Sequence, residues 1–450
     1  MQLPDDVWIH VWRVSTYNVL YNAMQLNSQM LKLVYASFTQ VVFKQGIIRQ
    51  SQLLAMPNLT KLHMHDSIDL MVLSRLRSLH IYSNVRCNLF HARLTSLHLE
   101  SYANIIMPIT LTKLVAKKSV NVNLSYYTNL RSLELLGYGS GYEQLQLRRL
   151  KITGNCYAVP QLCGMLSLTE LHIYRYGELP QLPVSLVKLT LCMYHGRQNF
   201  SYLTNLVDLT LDICEVGGIP DTLTRLCAIQ TTLTMDLGTF SSLRSLKFYG
   251  RRNTAGSHLM WTHLTALEDI STDDYEYDGR IFAKFTNLRR LELLESLTRL
   301  QLPVGLCKLK LGANYYVDRK IIDLCSSCLL QSLTFVKGEH LLDITSLTNL
   351  TKLHHGDEQW NYTTMTRLRK LKLDSMNRRI CLPLYCSLVV AGVYMTSRRE
   401  YGYLVVMGNT HKTGNSKSKE QSTESRYDDY RVSNTPTMGY YEPNISMIGR

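Results

Sequence analysis

A six-residue leucine pattern, LxxLxL, recurs along most of the chain and constrains its fold more than any other feature. It is seen in LTSLHLESY (94–102) and again in LTELHIYRY (168–176). Apolar and polar residues alternate at the end of each unit, which predicts a short β-strand. Because so short a strand cannot bury its apolar face alone, the pattern predicts stacked units with one continuous core. The units lie 17 to 24 residues apart, and their first leucines are Leu59, Leu76, Leu94, Leu111, Leu130, Leu147, Leu168, Leu186, Leu206, Leu223, Leu243, Leu264, Leu288, Leu306, Leu330, Leu350, Leu368 and Leu388.

The alternation also predicts the direction of each side chain. The central leucine of a unit, such as Leu133 or Leu209, is expected in the core. The residue after a central leucine, such as Thr190 or Thr210, is expected to face outward. A shift of one residue would turn every side chain to the opposite face, so all predictions about the outer surface depend on this register.

Two variants of the unit occur, one with TNL before the strand, as in LTNLVDLTL (203–211), and one with proline, as in LPVSLVKLTL (182–191). Over roughly residues 53–395 these units resemble the leucine-rich-repeat family. The resemblance implies an α/β leucine-rich-repeat solenoid, with short parallel strands on the concave face and mostly loops or short helical turns on the convex face. Steps of 17 or 18 residues leave little room for a convex helix.

Residues 1–48 do not follow the repeat. Their apolar residues recur at helical spacing, and the opening LPDD (3–6) is typical of a helix start. The stretch LPDDVWIHV, followed by NVLYNAMQLNSQMLKLV, resembles an F-box, the helical module that binds the linker subunit of SCF ubiquitin ligases. The alternative is a helical cap that covers the open edge of the first repeat. The F-box resemblance implies an apolar docking face made of Leu3, Pro4, Val7, Val11, Val19, Leu20 and Met24.

The chain carries 49 Lys and Arg residues against 35 Asp and Glu, a net charge of +14. This balance raises the odds of an acidic partner on the repeat face, but a face that only keeps the protein soluble is the favoured interpretation of the basic residues. Nucleic acid is the less favoured class of partner, because the only evidence for nucleic-acid binding is the net charge. Tyr82, Tyr174 and Tyr249 stand just past predicted strands and are of the type that anchors protein interfaces. Basic residues just before the central leucine form the main set of candidate contacts: Lys61, Lys113, Arg149, Lys188, Arg225, Arg290, Lys308, Lys352 and Lys370.

Three histidines, His63, His80 and His98, occupy the same outward position in consecutive units. Neighbouring strands lie about 4.8 Å apart, so three imidazoles in line could bind a metal ion or sense pH. Histidine is also an ordinary outward-facing strand residue, and the next member of the row is Val115. We therefore predict no metal site and assign the histidines to the candidate partner-binding face.

Sequence motifs of enzymes are absent: the chain has no GxxxxGK[ST], GxSxG, HExxH or GxGxxG. We predict a non-enzymatic protein without a cofactor. Eleven irregularly spaced cysteines indicate a reducing compartment, and the single CxxC, at Cys325 and Cys328, lacks a second ligand pair for zinc. The N-terminus is acidic where a secretory signal would be basic, and the apolar run SLVVAGVYM (387–395) is too short to span a bilayer. A cytoplasmic protein is expected, with the nucleus as the alternative and no membrane contact.

Three regions are predicted: an F-box-like module or cap at 1–48, the solenoid at 49–398, and a disordered polar tail at 405–450. The leading hypothesis is a substrate-recognition adaptor of an SCF-type ubiquitin ligase. It would be a monomer outside its complex and would hold an unidentified target protein on the repeat face. The alternatives are a non-catalytic scaffold without a ligase role and a basic nucleic-acid-binding surface.

Overall fold

The computed structural model describes the repeat region and short segments on either side of it. The seven predicted docking residues between Leu3 and Met24 lie outside the described residues, as does the tail from 409 onward. No helix in the described part of the chain is long and apolar enough to cross a membrane. The described residues are 36, 39–42, 53–65, 73–83, 89, 93–101, 106–117, 123–137, 140–154, 161–174, 179–194, 196–235, 237–250, 263–273, 279–294, 300–312, 329–335, 344, 347–355, 362, 365–373, 380–383, 386–390, 395–400 and 403–408.

Short strands dominate this part of the chain, joined by turns and by short 3-10 helices. The 3-10 helices are Leu124–Tyr126, Leu237–Thr239 and Gly279–Lys284. The strands are β1 (Gln40–Val42), β2 (Lys61–Met64), β3 (Ser78–Ile81), β4 (Ser96–Leu99), β5 (Lys113–Ala116), β6 (Ser132–Leu136), β7 (Arg149–Thr153), β8 (Glu170–Tyr174), β9 (Lys188–Cys192), β10 (Arg197–Asn199), β11 (Asp208–Asp212), β12 (Glu215–Gly218), β13 (Arg225–Ile229), β14 (Thr232–Leu233), β15 (Ser245–Tyr249), β16 (Asp269–Thr272), β17 (Arg290–Leu293), β18 (Lys308–Leu311), β19 (Ser332–Phe335), β20 (Lys352–His355), β21 (Lys370–Leu373), β22 (Ile380–Pro383), β23 (Ser387–Val390), β24 (Met395–Glu400) and β25 (Tyr403–Gly408).

Nineteen of the described strands form a single parallel sheet, in which each repeat strand pairs with the strand of the next repeat. The pairing keeps equivalent residues in register, so that Leu189 lies opposite Leu209 and Leu209 lies opposite Leu226. Three short strands, β10, β12 and β14, form a second parallel sheet. The predicted solenoid of parallel strands with little helix is therefore confirmed.

The core is a continuous stack of leucine side chains along this sheet. Leu133 and Leu209 are 1% and 0% exposed, whereas Thr190 and Thr210 are partly exposed. The predicted register is thus confirmed. Each fully buried leucine contributes on the order of 1.5–3 kcal/mol of transfer free energy. The repeated leucines therefore supply most of the driving force for folding, and no single repeat could supply it alone.

Both variants of the unit tie a turn to the preceding repeat through a side-chain donor. In a TNL unit, Asn205 Nδ2 donates to the Val184 carbonyl over 3.1 Å. In a proline unit, Ser185 Oγ donates to the Leu168 carbonyl over 2.8 Å. A turn without helical hydrogen bonds leaves backbone carbonyls that need donors. The asparagine and the hydroxyl are two solutions to that one requirement.

A corner residue with positive φ follows each five-residue strand whose next residue is described. A left-handed backbone costs a non-glycine residue roughly 1–2 kcal/mol. Three of the corners are glycine and three are not. The corner residues and their φ angles are Gly137 (93°), Gly154 (93°), Met193 (61°), Ile213 (54°), Gln230 (45°) and Gly250 (141°).

The sheet begins before the boundary at residue 49 that the sequence suggested. Strand β1, at Gln40–Val42, pairs in parallel with β2. The amides of Thr60 and Lys61 both donate to the Thr39 carbonyl, and Asn58 Nδ2 donates to the Ala36 carbonyl. Residues 36 and 39–42 therefore belong to the edge of the solenoid, because they meet the hydrogen-bonding needs of its first strand.

The other end also differs from the sequence-based boundaries. The parallel sheet ends at β23, and β25 pairs in antiparallel fashion with β22 and β24. Residues 395–398 were assigned to the solenoid and 405–408 to the disordered tail, but both lie in this small antiparallel sheet. The sequence YLVVMG (403–408) is apolar and rich in strand-forming residues, which favours pairing over disorder.

Candidate interaction face of the parallel sheet

The nine basic residues predicted as contacts each stand at the first position of a repeat strand, and all are exposed. The strands are in register, so these positions form one row across the sheet. Serines and acidic residues occupy the remaining places in this row. The row runs Lys61, Ser78, Ser96, Lys113, Ser132, Arg149, Glu170, Lys188, Asp208, Arg225, Ser245, Asp269, Arg290, Lys308, Ser332, Lys352, Lys370 and Ser387.

Carboxylates in the same row neutralise its middle section. The Asp208 carboxylate lies 3.2 Å from Arg225 and 3.5 Å from Lys188. Arg149 lies 3.5 Å from the Glu170 carboxylate, and Arg290 lies 3.5 Å from that of Asp269. Exposed pairs of this kind add little stability, but they cancel most of the local positive potential.

At the C-terminal end of the row, fewer of the positive charges are paired with carboxylates of the described residues. We define the C-terminal basic patch as Lys308, Lys352, Lys370 and Lys372, none of which has an ion pair among the described residues. Lys352 and Lys370 are direct register partners on β20 and β21. Like charges directly opposite each other destabilise a sheet. An anionic partner would remove that repulsion, so this patch is the part of the outward face best suited to binding.

The three candidate tyrosines do not form one surface patch. Tyr82 stacks on His65 with ring centroids 4.6 Å apart. The Tyr249 hydroxyl lies 2.5 Å from Ser271 Oγ, and burial raises the pKa of Tyr249 to about 12. Tyr174 ends strand β8, five strands or about 24 Å from the Tyr82 position. All three are half-buried, which limits each to a separate small contact.

His63, His80 and His98 lie in register on β2, β3 and β4, and we call them the histidine row. The ring centroids of His63 and His80 are 4.9 Å apart. The rings of His80 and His98 are stacked, with centroids 3.9 Å apart and an interplanar angle of 5°. The imidazoles are thus in direct contact, as their row in the sequence suggested.

Glu100 brings a carboxylate to the histidine row. Its Oε1 atom lies 3.2 Å from His80 Nε2, 3.1 Å from His98 Nε2 and 3.0 Å from Lys117 Nζ. Glu100 was not among the predicted site residues, because it stands one residue past strand β4. The signal was the two-residue period: Glu100 is two residues after His98 and Lys117 is two residues after Val115, so all four face the same side.

The cluster has neutral imidazoles and an ionised carboxylate at neutral pH. Burial, and then the neighbouring His80, lower the pKa of His98 to about 4. Burial likewise lowers the pKa of His80. Burial alone would raise the pKa of Glu100, but Lys117 and the two imidazoles outweigh it and hold that pKa below its ordinary value.

A fourth histidine, His172 on β8, occupies the same outward position of its strand. Among the described residues, it does not belong to a group of side chains that could hold a metal ion. Burial is the main reason that the pKa of His172 falls to about 4. Lys151, Arg149 and Lys188 lower this pKa further, while Glu134 opposes them. His172 is therefore a matched single histidine for comparison with the cluster.

Three cysteines of the described chain are buried and poorly nucleophilic. Cys192, Cys214 and Cys386 are buried free thiols. Burial raises the pKa of Cys192 to about 12 and that of Cys386 to about 11, which suppresses the nucleophilic thiolate. The CxxC pair Cys325 and Cys328 lies outside the described residues.

Solved structures similar to the chain are leucine-rich-repeat proteins. TLR13 in its complex with ssRNA13 gives a TM-score of 0.51 at 16% identity, covering 76% of this chain and 68% of that one. The protein LIC12759 of Leptospira interrogans gives 0.41 at 16% identity, covering 81% and 94%. The functional domain of InlJ from Listeria monocytogenes gives 0.41 at 15% identity, covering 84% and 86%. No family model matches the sequence, and no curated protein matches it.

Proposed function

We propose that the chain is a non-catalytic scaffold that binds an acidic protein on the outward face of its parallel sheet. The C-terminal basic patch carries this proposal, because within the described part of the chain its lysines form no ion pair, whereas carboxylates pair with the basic residues in the middle of the row. A row of strands in register presents these charges at fixed spacing, about 4.8 Å from one strand to the next. The rigid backbone fixes where these side chains begin, so binding has to order the lysine side chains but not the strands that carry them.

A charge-reversal experiment tests the patch. The variant Lys308→Glu/Lys352→Glu/Lys370→Glu is compared with the wild type by fluorescence anisotropy, using a labelled polyglutamate peptide. The matched control is Arg149→Glu/Lys188→Glu/Arg225→Glu, which changes the net charge equally in the neutralised section of the same row. We expect the patch variant to lose binding and the control to retain it. Equal losses would show that bulk charge, not the patch, binds the peptide, and the proposal would be wrong.

A labelled single-stranded RNA of the same charge as the peptide distinguishes the second class of partner. The acidic-protein proposal expects RNA to bind no more tightly than polyglutamate at physiological salt. Nucleic-acid binding would instead be tighter and would weaken steeply with salt, because bound phosphates release counterions. Preferential RNA binding lost in the patch variant would replace the acidic protein with nucleic acid as the proposed partner.

The finer proposal is that the scaffold is a substrate-recognition adaptor of an SCF-type ubiquitin ligase. It is supported by the sequence LPDDVWIHV and by nothing in the described residues. A pull-down with the purified linker subunit tests it, with Leu3→Asp/Pro4→Ala as the disrupting variant and the C-terminal patch variant as the control. Failure of the intact chain to bind the linker subunit would remove the adaptor role and leave the scaffold proposal standing.

Deletion of residues 1–35 separates an adaptor module from a structural cap. This deletion keeps β1, which a deletion to residue 48 would remove. If residues 1–35 form an independent module, the shortened chain should melt at the same temperature as the full chain. A marked fall in melting temperature would favour the cap that covers the edge of the first repeats.

A further inference from the structure

We propose that His80, His98 and Glu100 form a binding site for one divalent transition-metal ion of the zinc, nickel and copper class. This inference is independent of the proposed scaffold function. The three residues belong to adjacent repeats and converge on the outward face of the sheet at β3 and β4.

The spacing of the ligand atoms suits a small ion, which His80 and His98 would share after their stacked rings tilt so that both Nε2 lone pairs point to it. The ligand atoms of the three residues all lie within 4.8 Å of one another. Glu100 Oε1 is 3.2 Å from His80 Nε2 and 3.1 Å from His98 Nε2. In a tetrahedral site with bonds of about 2.0–2.1 Å, ligand atoms lie about 3.3 Å apart. Two of the three edges of such a site are therefore already close to their final length.

The donor set selects the class of ion. Two imidazoles with one carboxylate suit zinc, nickel and copper, whereas calcium and magnesium prefer oxygen ligands alone. The site lies on an outward face, so the remaining coordination positions are open to water or to a fourth protein ligand. His63 is next in the histidine row, with its ring centroid 4.9 Å from that of His80.

His98 adds an independent observation. Its Nε2 atom is buried and makes no hydrogen bond, although Glu100 Oε1 is only 3.1 Å away, because the contact lacks hydrogen-bond geometry. Buried polar atoms almost always have a partner. A metal ion between the two side chains would give Nε2 that partner. The burial that keeps both imidazoles neutral also leaves them able to coordinate.

Lys117 is the internal competitor for the site. Its ammonium lies 3.0 Å from Glu100 Oε1 and neutralises the carboxylate that the metal would use. The Lys117 side chain is 49% exposed on a flexible stem, so it can swing into solvent when an ion binds. Removing its charge should strengthen metal binding, which a purely structural role for the cluster would not predict.

The test uses the full chain with Cys325→Ser and Cys328→Ser, so that thiolate sites do not obscure the cluster. Zinc binding is measured by titration calorimetry, and Co²⁺ absorption reports the ligand set, since a His and Glu site gives no thiolate charge-transfer band. We expect one ion per chain. His98→Ala and Glu100→Gln should each weaken binding by about 100-fold or more, because loss of an outer-shell group alone costs 10–100-fold. His172→Ala, on the same row, should bind as the parent does.

Two controls are needed: proof that each variant still folds, and a variant that is expected to bind zinc more tightly. Far-UV circular dichroism of each variant checks its fold. If His98→Ala does not fold, Glu100→Gln still tests the site, because it preserves the size of the side chain. Lys117→Met should bind zinc more tightly than the parent. The proposal is overturned if the parent binds no ion, if His98→Ala and Glu100→Gln bind as tightly as His172→Ala, or if Lys117→Met binds more weakly.

Discussion

Replacing Leu209 with alanine tests how the repeat core is stabilised. Leu209 is 0% exposed, and its register partners Leu189 and Leu226 are 0% and 1% exposed. Truncating a buried leucine costs about 2–5 kcal/mol, depending on how far the surroundings can collapse. Both partners are fixed in hydrogen-bonded strands, so little collapse is available here. We therefore expect the free energy of unfolding to fall by about 3–5 kcal/mol.

Thr210, the next residue of β11, is the matched control. It faces outward and is partly exposed, so Thr210→Ala should lower the free energy of unfolding by about 0.5 kcal/mol or less. Urea denaturation of both variants, followed by circular dichroism, measures the difference as a shift of the unfolding transition. Equal losses, or a larger loss at Thr210, would contradict the register on which every outward assignment depends.

The position of the damage is a second readout of the same substitution. In a one-dimensional array each repeat contacts only its neighbours, so the loss should stay near the substituted strand. Hydrogen exchange of Leu209→Ala should show reduced protection in β9, β11 and β13 and unchanged protection in β3 and β21. Uniform loss along the sheet would refute the one-dimensional reasoning and indicate a single cooperative unit.

Two further predictions concern a corner and a titrating group. Gly250→Ala should lower the urea midpoint markedly, because φ at this residue is +141° and an added Cβ would lie 2.8 Å from Gln230 Cα. The control is Gly164→Ala, because an added Cβ at Gly164 would meet open space. His172 has a folded pKa of about 4, below its unfolded value near 6.5, because of burial and Lys151. The unfolded chain then binds more protons between these values, so stability present at pH 7 is lost as the pH falls from about 6.5 to about 4. Urea midpoints at pH 7 and pH 5 should differ less in His172→Gln than in the wild type, and an equal difference would contradict this.

The solenoid could be predicted because its stabilising contacts repeat in the sequence. The spacing of Leu206, Leu209 and Leu211 encodes both the strand and its buried face, and the parallel register places Leu209 and Leu211 beside their equivalents. The ends could not be predicted in the same way. At β1 and β25 the pattern is absent, and pairing depends on edge hydrogen bonds that a neighbouring strand makes available.

The charges of the outward face were only half predictable. Basic residues were identified by their place in the unit, but their neutralisation depends on which residue holds the same place in the next unit. Asp208 illustrates this, because it lies between Lys188 and Arg225 only when the three strands are aligned. Glu100 was missed for a related reason: it lies outside the repeated pattern, and only the folded strands bring it to two imidazoles.

The corners show where local sequence rules give way to tertiary structure. Met193, Ile213 and Gln230 adopt the left-handed conformation that glycine adopts at other corners. Each is soon followed by a strand of the second sheet, β10, β12 or β14. That sheet, together with bonds from corner amides such as that of Ile213 to the Ile229 carbonyl, fixes the path of the chain through three successive repeats. These shared hydrogen bonds offset the local strain, so the positions need no glycine and leave no turn signal in the sequence.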